Sequence, residues 1–133
     1  MYLLDTNACI RILNNSSFPL VARLREHSPD DIFLCSVVKA ELIYGAYHSS
    51  RLADNLRLLK RFFEPFISLP LDDHCLEHYG RIREELERIG TPIGPYDLQI
   101  AAIVLTHDLT LITNNTREFG RVAGLQIEDW EAN

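Results

Sequence analysis

The sequence is short of the features that staple a chain covalently or place it in a membrane. Its three cysteines, Cys9, Cys35 and Cys75, are an odd number, far apart and without a CxxC pair. A disulfide scaffold and a zinc finger are therefore excluded, and each thiol reads as a small buried hydrophobe in a reducing, cytoplasmic setting. The longest apolar run, the six residues from Ile100 to Leu105, is far below the roughly 20 needed to cross a bilayer. Asp5 arrives after only four residues, so the basic start and apolar stretch of a secretory signal are not expected. Glycine and proline, six of each, are scattered as punctuation, and no repeat, linker or low-complexity tract divides the chain. Lysine is scarce too: only Lys39 and Lys60 accompany eleven arginines.

What is present is globular. With 133 residues, 47% hydrophobic and 24% charged, the chain is long enough to bury an ordinary core, and one domain spanning 1–133 is expected. The 19 acids outnumber the 13 basic residues for a net charge of -6. That balance argues against a polyanion as partner, except where carboxylates gather around a cation that itself serves a phosphate.

Short apolar runs alternate with helical periodicity. Strands are expected at 2–4, 32–35, 66–71, 109–113 and 125–127. The first stops at Asp5-Thr6-Asn7, the chemistry of a helix cap, and Ser36 caps a second helix with Val37, Ala40, Glu41 and Tyr44 facing inward. Residues 51–64 carry Leu52, Leu56, Leu59 and Phe63 on one stripe until Pro65. Asp72 opens the longest helix, with Cys75, Tyr79, Ile82, Leu86 and Ile89 inward and Gly90 as its end. Gly94-Pro95 starts a largely buried helix. Strands separated by helices give an α/β fold with a mainly parallel sheet of about five short strands.

In such sheets ligands bind beyond the carboxyl ends of the strands, where Asp5 stands. Glu41 lies in an otherwise apolar helix segment, and Asp97 sits in the first turn of an almost wholly apolar helix. Each has an ordinary alternative: a cap for Asp5, a solvent-facing position for Glu41, a favourable helix-dipole contact for Asp97. Brought together dry they would repel, and a divalent cation that prefers oxygen ligands resolves the conflict. His74-Cys75-Leu76-Glu77-His78 matches a short zinc pattern, but no third ligand is evident and a polar helix face explains it equally.

Four blocks carry a resemblance: Leu3-Leu4-Asp5-Thr6-Asn7; Ser36 to Ala46 with Glu41 inside; Pro92-Ile93-Gly94-Pro95-Tyr96-Asp97-Leu98; and Leu111-Ile112-Thr113-Asn114-Asn115-Thr116-Arg117-Glu118-Phe119. In this order and spacing the chain resembles the PIN-domain nucleases and, more narrowly, the VapC toxins of bacterial toxin-antitoxin pairs, over its whole length. The resemblance implies a three-layer α/β/α fold and a Mg2+- or Mn2+-dependent endoribonuclease. Its catalytic and metal-binding acids fall on Asp5, Glu41 and Asp97.

Many members carry a fourth acid where this chain has Asn115. An amide supplies no charge, which implies one tightly held ion rather than two, and Glu118 ranks below Asn115 as the compensating group. Thr6, Asn7 and Thr113 are expected to orient acids and water.

The arginine bias suits phosphate and base contacts, with Arg11, Arg81, Arg83, Arg117 and Arg121 as candidates for RNA. The resemblance further implies a structured RNA substrate, most often transfer RNA, and hydrolysis leaving a 5'-phosphate and a 3'-hydroxyl. It also implies a VapB-type antitoxin that lays a tail across the groove, operator DNA bound only through that antitoxin, and a homodimer. The rival readings are a non-catalytic peptide- or RNA-binding module with a degenerate metal site, and a metal-dependent DNA nuclease or phosphatase.

Overall fold

The computed structural model describes residues 1–132. Five strands, β1 (Tyr2–Leu4), β2 (Ile32–Cys35), β3 (Ile67–Leu69), β4 (Thr110–Ile112) and β5 (Gln126–Glu128), form one sheet in the order β3-β2-β1-β4-β5. Every pairing is parallel, with Leu3 opposite both Phe33 and Leu111. A parallel sheet is covered on both faces by its crossovers, and Leu3, Leu4, Ile32, Leu34, Leu111 and Ile112 are accordingly buried almost completely. The flanking helices are α1 (Thr6–Leu13), α2 (Phe18–Arg25), α3 (Ser36–Tyr47), α4 (Leu52–Phe63), α5 (Asp73–Arg88), α6 (Pro95–Thr106) and α7 (Thr116–Phe119). The three-layer α/β/α expectation holds.

Helix α6 is the most deeply placed, with Ile100, Ala101, Ala102, Ile103 and Val104 in the core, as its apolar run foretells. Helix α5 starts where expected: the Asp72 carboxylate accepts from the His74 backbone N–H at 3.1 Å. All three cysteines are free and buried, and burial pushes the Cys35 thiol up to about 11, so they pack as hydrophobes. None of the helices is long and apolar enough to cross a membrane.

Two expectations about α3 need correction. Ser36 is the helix's first residue and does not cap it; its hydroxyl instead accepts from the Leu71 backbone N–H at 3.3 Å, joining the end of β2 to the segment after β3. The buried side of α3 carries Val37, Val38, Leu42 and Ala46, while Ala40 and Tyr44 are exposed and Glu41 is half-buried. Glu41 is thus turned out of the core. Helices α2 and α7 go beyond the sequence expectation, while the 3-10 turn at Pro29–Asp31 agrees with the turn chemistry of Asp30-Asp31 before β2. Helix α2 has no side-chain cap and gains its place from tertiary packing, chiefly through Leu20.

Candidate functional site

The site begins with a backbone bond. One residue beyond β1, the Asp5 N–H donates to the Ile112 carbonyl at 3.1 Å, extending the β1–β4 ladder before α1 begins. This fixes Asp5 at the carboxyl edge of the central strand, where its side chain accepts from the Ala8 N–H at 2.8 Å and caps α1. The cap reading of Asp5 is therefore correct, and it coexists with a place at the strand ends. Asp5 is only 4% exposed. Burial lifts its pKa above the usual carboxylate value; the Thr113 hydroxyl, the Ala8 N–H and the Arg11 guanidinium oppose the rise, and Glu131 adds to it.

Glu41 reaches the same edge from α3. The Thr6 hydroxyl donates to Glu41 Oε1 at 2.7 Å, across 35 residues of sequence. Thr6 therefore ties the start of α1 to the middle of α3, and Asn7 beside it stays exposed.

Asp97 enters from the first turn of α6. A carboxylate at a helix N-terminus gains up to roughly 1 kcal/mol from the dipole, which lowers its pKa. Here the opposing effects win: partial burial first, then the charges of Glu118, Asp5 and Glu41, push Asp97 up to about 6. Burial and the three neighbouring carboxylates thus outweigh the helix dipole at Asp97.

Helix α7 supplies the fourth acid. Asn115 caps it, its Oδ1 accepting from the Glu118 N–H at 3.4 Å while its Nδ2 donates to Glu118 Oε2 at 3.0 Å. Thr113, buried after β4, accepts the Asn115 N–H at 2.9 Å. The Asn115 side chain is engaged in capping, and Glu118 contributes the largest of the charges that raise Asp97. The signal was present in the sequence, since Asn115 and Glu118 stand at capping-box spacing.

Among the described residues no three His, Cys, Asp or Glu side chains lie close enough to grip an ion unaided. The donors nevertheless fit a hard cation. They are oxygens from Asp5, Glu41, Asp97 and Glu118 within electrostatic reach of Asp97, and magnesium-like ions are held by one or two carboxylates with the remaining positions taken by water and phosphate. His74 is exposed and His78 lies beside Arg81 on the outside of α5, so the zinc pattern finds no third ligand.

Beside the acids runs a groove of about 730 Å³ whose walls include Thr6, Asn7, Ile10, Glu41, Tyr44 and Tyr96. Of the basic residues expected around it, Arg11 is half-buried and paired with Glu131 at 2.8 Å, which turns it to the C-terminal segment. Arg81 and Arg83 pair with Glu85 and Glu87 along α5. Arg121 donates to the Pro92 carbonyl at 3.4 Å, bracing the loop before Asp97. Arg117 is exposed next to Glu118.

The PIN domain model matches residues 2–125. A tRNA(fMet)-specific endonuclease VapC of Salmonella typhimurium is 39% identical over 129 residues, covering 97% of both chains. Among solved structures, VapBC2 of Rickettsia felis bound to a DNA fragment from its promoter superposes with a TM-score of 0.91 at 34% identity, covering 97% of this chain and 98% of that one. DNA-bound VapBC of Salmonella typhimurium does so with a TM-score of 0.91 at 39% identity, over 97% of each chain. Matched by the PIN domain model over most of its length and by relatives of this identity and coverage, the chain belongs to the PIN domain family and, within it, to the VapC group.

Proposed function

We propose that this chain is the toxin of a VapB–VapC-type pair, an endoribonuclease that hydrolyses RNA phosphodiester bonds with the help of a divalent cation. The observation that carries the reading is the meeting of acids from separate elements at one sheet edge: Asp5 just beyond β1, Glu41 bonded to Thr6 across 35 residues, and Asp97, which burial and Glu118, Asp5 and Glu41 push up to about 6. A divalent cation is the group that offsets the repulsion within such a cluster.

Asp5, Asp97, Glu41 and Glu118 are the residues that would hold the ion, with magnesium or manganese as its identity. Bound there, a divalent cation lowers the pKa of water and offsets charge developing on the scissile phosphate. The chain's own residues supply the rest. The Ala8 N–H and the Thr113 hydroxyl orient Asp5 and oppose the rise in its pKa that burial causes. Thr6 holds one Glu41 oxygen and leaves the other free. Asn115 sets the reach of Glu118 from the start of α7. Water then attacks in line and leaves a 5'-phosphate and a 3'-hydroxyl.

The substrate is transfer RNA, the class named for the Salmonella relative. The inhibitor is a VapB-type antitoxin, as in the VapBC complexes of similar fold, with operator DNA met through that partner. Residues 1–133 act as one nuclease unit in the cytoplasm. The active form is a homodimer: Leu52 and Leu58 of α4 stay exposed, and a monomer mass in light scattering of the antitoxin-free chain would contradict this. The test of function is cleavage of total transfer RNA in magnesium and in manganese, with the Asp5→Asn chain as control. Loss of cleavage with retained folding supports catalysis, and unchanged cleavage sinks it. A DNA and phosphomonoester panel separates a ribonuclease from the other hydrolases.

A further inference from the structure

Two tyrosines stand beside the acids with no task in the hydrolysis described above. Tyr44 follows Glu41 by three residues on α3, so the two side chains share one side of the helix. Tyr96 immediately precedes Asp97 at the start of α6. Tyr44 is 67% exposed and Tyr96 57%. Large rings left bare are unexplained by core packing, and these two line one groove with Thr6 and Glu41. The Tyr44 ring is also held: His48, one turn on, stacks against it with centroids 5.7 Å apart and planes 15° apart. One face of Tyr44 is thereby backed and its motion restricted.

We propose that Tyr44 and Tyr96 bind substrate by stacking on the nucleobases that flank the phosphate presented to the acids, and that the RNA is unpaired at the bond cut. The inference rests on the ribonuclease reading and deepens it. The linkage is covalent: each ring is fixed by the backbone to an acid, Tyr44 to Glu41 and Tyr96 to Asp97. Any phosphate drawn to a cation held by those acids would bring its neighbouring bases to the rings. A π-face is common to all four bases, so stacking supplies affinity without dictating sequence, and bases offer free faces only where they are not paired in a duplex. A helical duplex keeps its base faces covered and gains nothing from the rings. A peptide lying in the groove has no such requirement for rings tied to acids.

The test has two readings. First, the cut in transfer RNA is mapped, and cleavage of an oligoribonucleotide spanning it is compared for the parent, Tyr44→Ala, Tyr96→Ala and the matching phenylalanine and leucine variants. Stacking is worth on the order of tenfold per base. Each alanine variant should therefore lose about that factor in kcat/KM, mostly through KM because the contact exists before reaction. Phenylalanine should restore activity, and leucine, which keeps apolar bulk without a ring face, should not. Second, 2-aminopurine placed beside the cut should be quenched on binding to the Asp5→Asn chain, and the quenching should vanish with alanine and persist with phenylalanine.

Alanine variants that fold and cleave as the parent does would overturn the assignment, as would quenching indifferent to the rings. So would alanine variants that lose only inhibition by the cognate antitoxin, since the groove would then be a peptide site. A parent chain that cleaves no RNA in any divalent cation removes the ribonuclease reading itself, a result distinct from parent cleavage with unaltered variants.

Discussion

Asp97 is the residue whose chemistry is most exposed to experiment. Its pKa stands at about 6 in the folded chain against 3.8 for the free side chain. A raised carboxyl pKa means that the folded state binds the proton more tightly than the unfolded one. Stability of the metal-free chain therefore falls as pH rises from about 4 to about 6, and the full cost persists above that window. Asp97→Asn should stabilise the metal-free chain at pH 7.5 by about 1 kcal/mol, after discounting for the group's partial contact with water, while abolishing cleavage. Thermal melts across pH 4 to 8 check this, and no difference between parent and variant at pH 7.5 would contradict it. Thr6 makes the complementary case. Thr6→Val removes the bond that holds Glu41, and the expected result is a folded chain with cleavage lowered roughly tenfold, since a hydrogen bond to a charged group is worth about 1.5–3 kcal/mol. Equal rates for Thr6→Val and parent would show that Glu41 needs no such support.

At the scale of elements, the short α7 does more than its four residues imply. Its Asn115 cap both starts the helix and bonds the Glu118 carboxylate. Asn115→Ala should cost about 1 kcal/mol as a lost cap and should also lower cleavage, because Glu118 loses its guide. Asn115→Asp should keep the cap, and comparison of the two by melting and by rate separates stability from placement. A folded Asn115→Ala chain with full activity would refute the placing role.

Strands β1 and β2 lie where their apolar runs end, because a buried strand must stop where polar residues begin. The expected 66–71 narrows to Ile67–Leu69: β3 is an edge strand paired on one side only, so its ends lack a second ladder. Ser36 looked like a cap because serine suits caps, yet its hydroxyl serves Leu71, a partner that only the folded chain brings near. Helix α2 was missed although Ser17 and Pro19 suit a helix start, because it buries a single residue, Leu20, and so shows no apolar stripe. The acids Asp5, Glu41 and Asp97 stood out in the sequence because each interrupts an apolar segment, Asp5 and Asp97 at an element boundary and Glu41 within α3. The contact of Glu118 with Asn115 was not legible, because it depends on a turn of chain rather than on neighbouring residue types. The tyrosines were missed as a pair since Tyr44 fitted a helical stripe equally well.

For the molecule as a whole, the sheet order explains why distant residues meet. Strand β1 lies between β2 and β4, so Asp5 is central, with α3 leaving β2 on one side and the Thr113–Glu118 segment leaving β4 on the other. The acids Asp5, Glu41, Asp97 and Glu118, which add to a negative balance that first argued against a nucleic-acid enzyme, lie within electrostatic reach of one another around Asp97. Cation binding should therefore raise the melting temperature of the parent more at pH 7.5 than at pH 5, where Asp97 is largely protonated, and Asp97→Asn should lose most of that gain. A cation-induced shift that is equal at both pH values, or equal in the variant, would place the ion elsewhere. The central claim, hydrolysis of RNA at these acids with a divalent cation, meets its most direct test in end mapping of transfer RNA cut by the parent chain with magnesium or manganese and with chelator. The account predicts 5'-phosphate and 3'-hydroxyl ends, and no cleavage in chelator or by Asp5→Asn. Cyclic phosphate ends, or full activity in chelator, would contradict it.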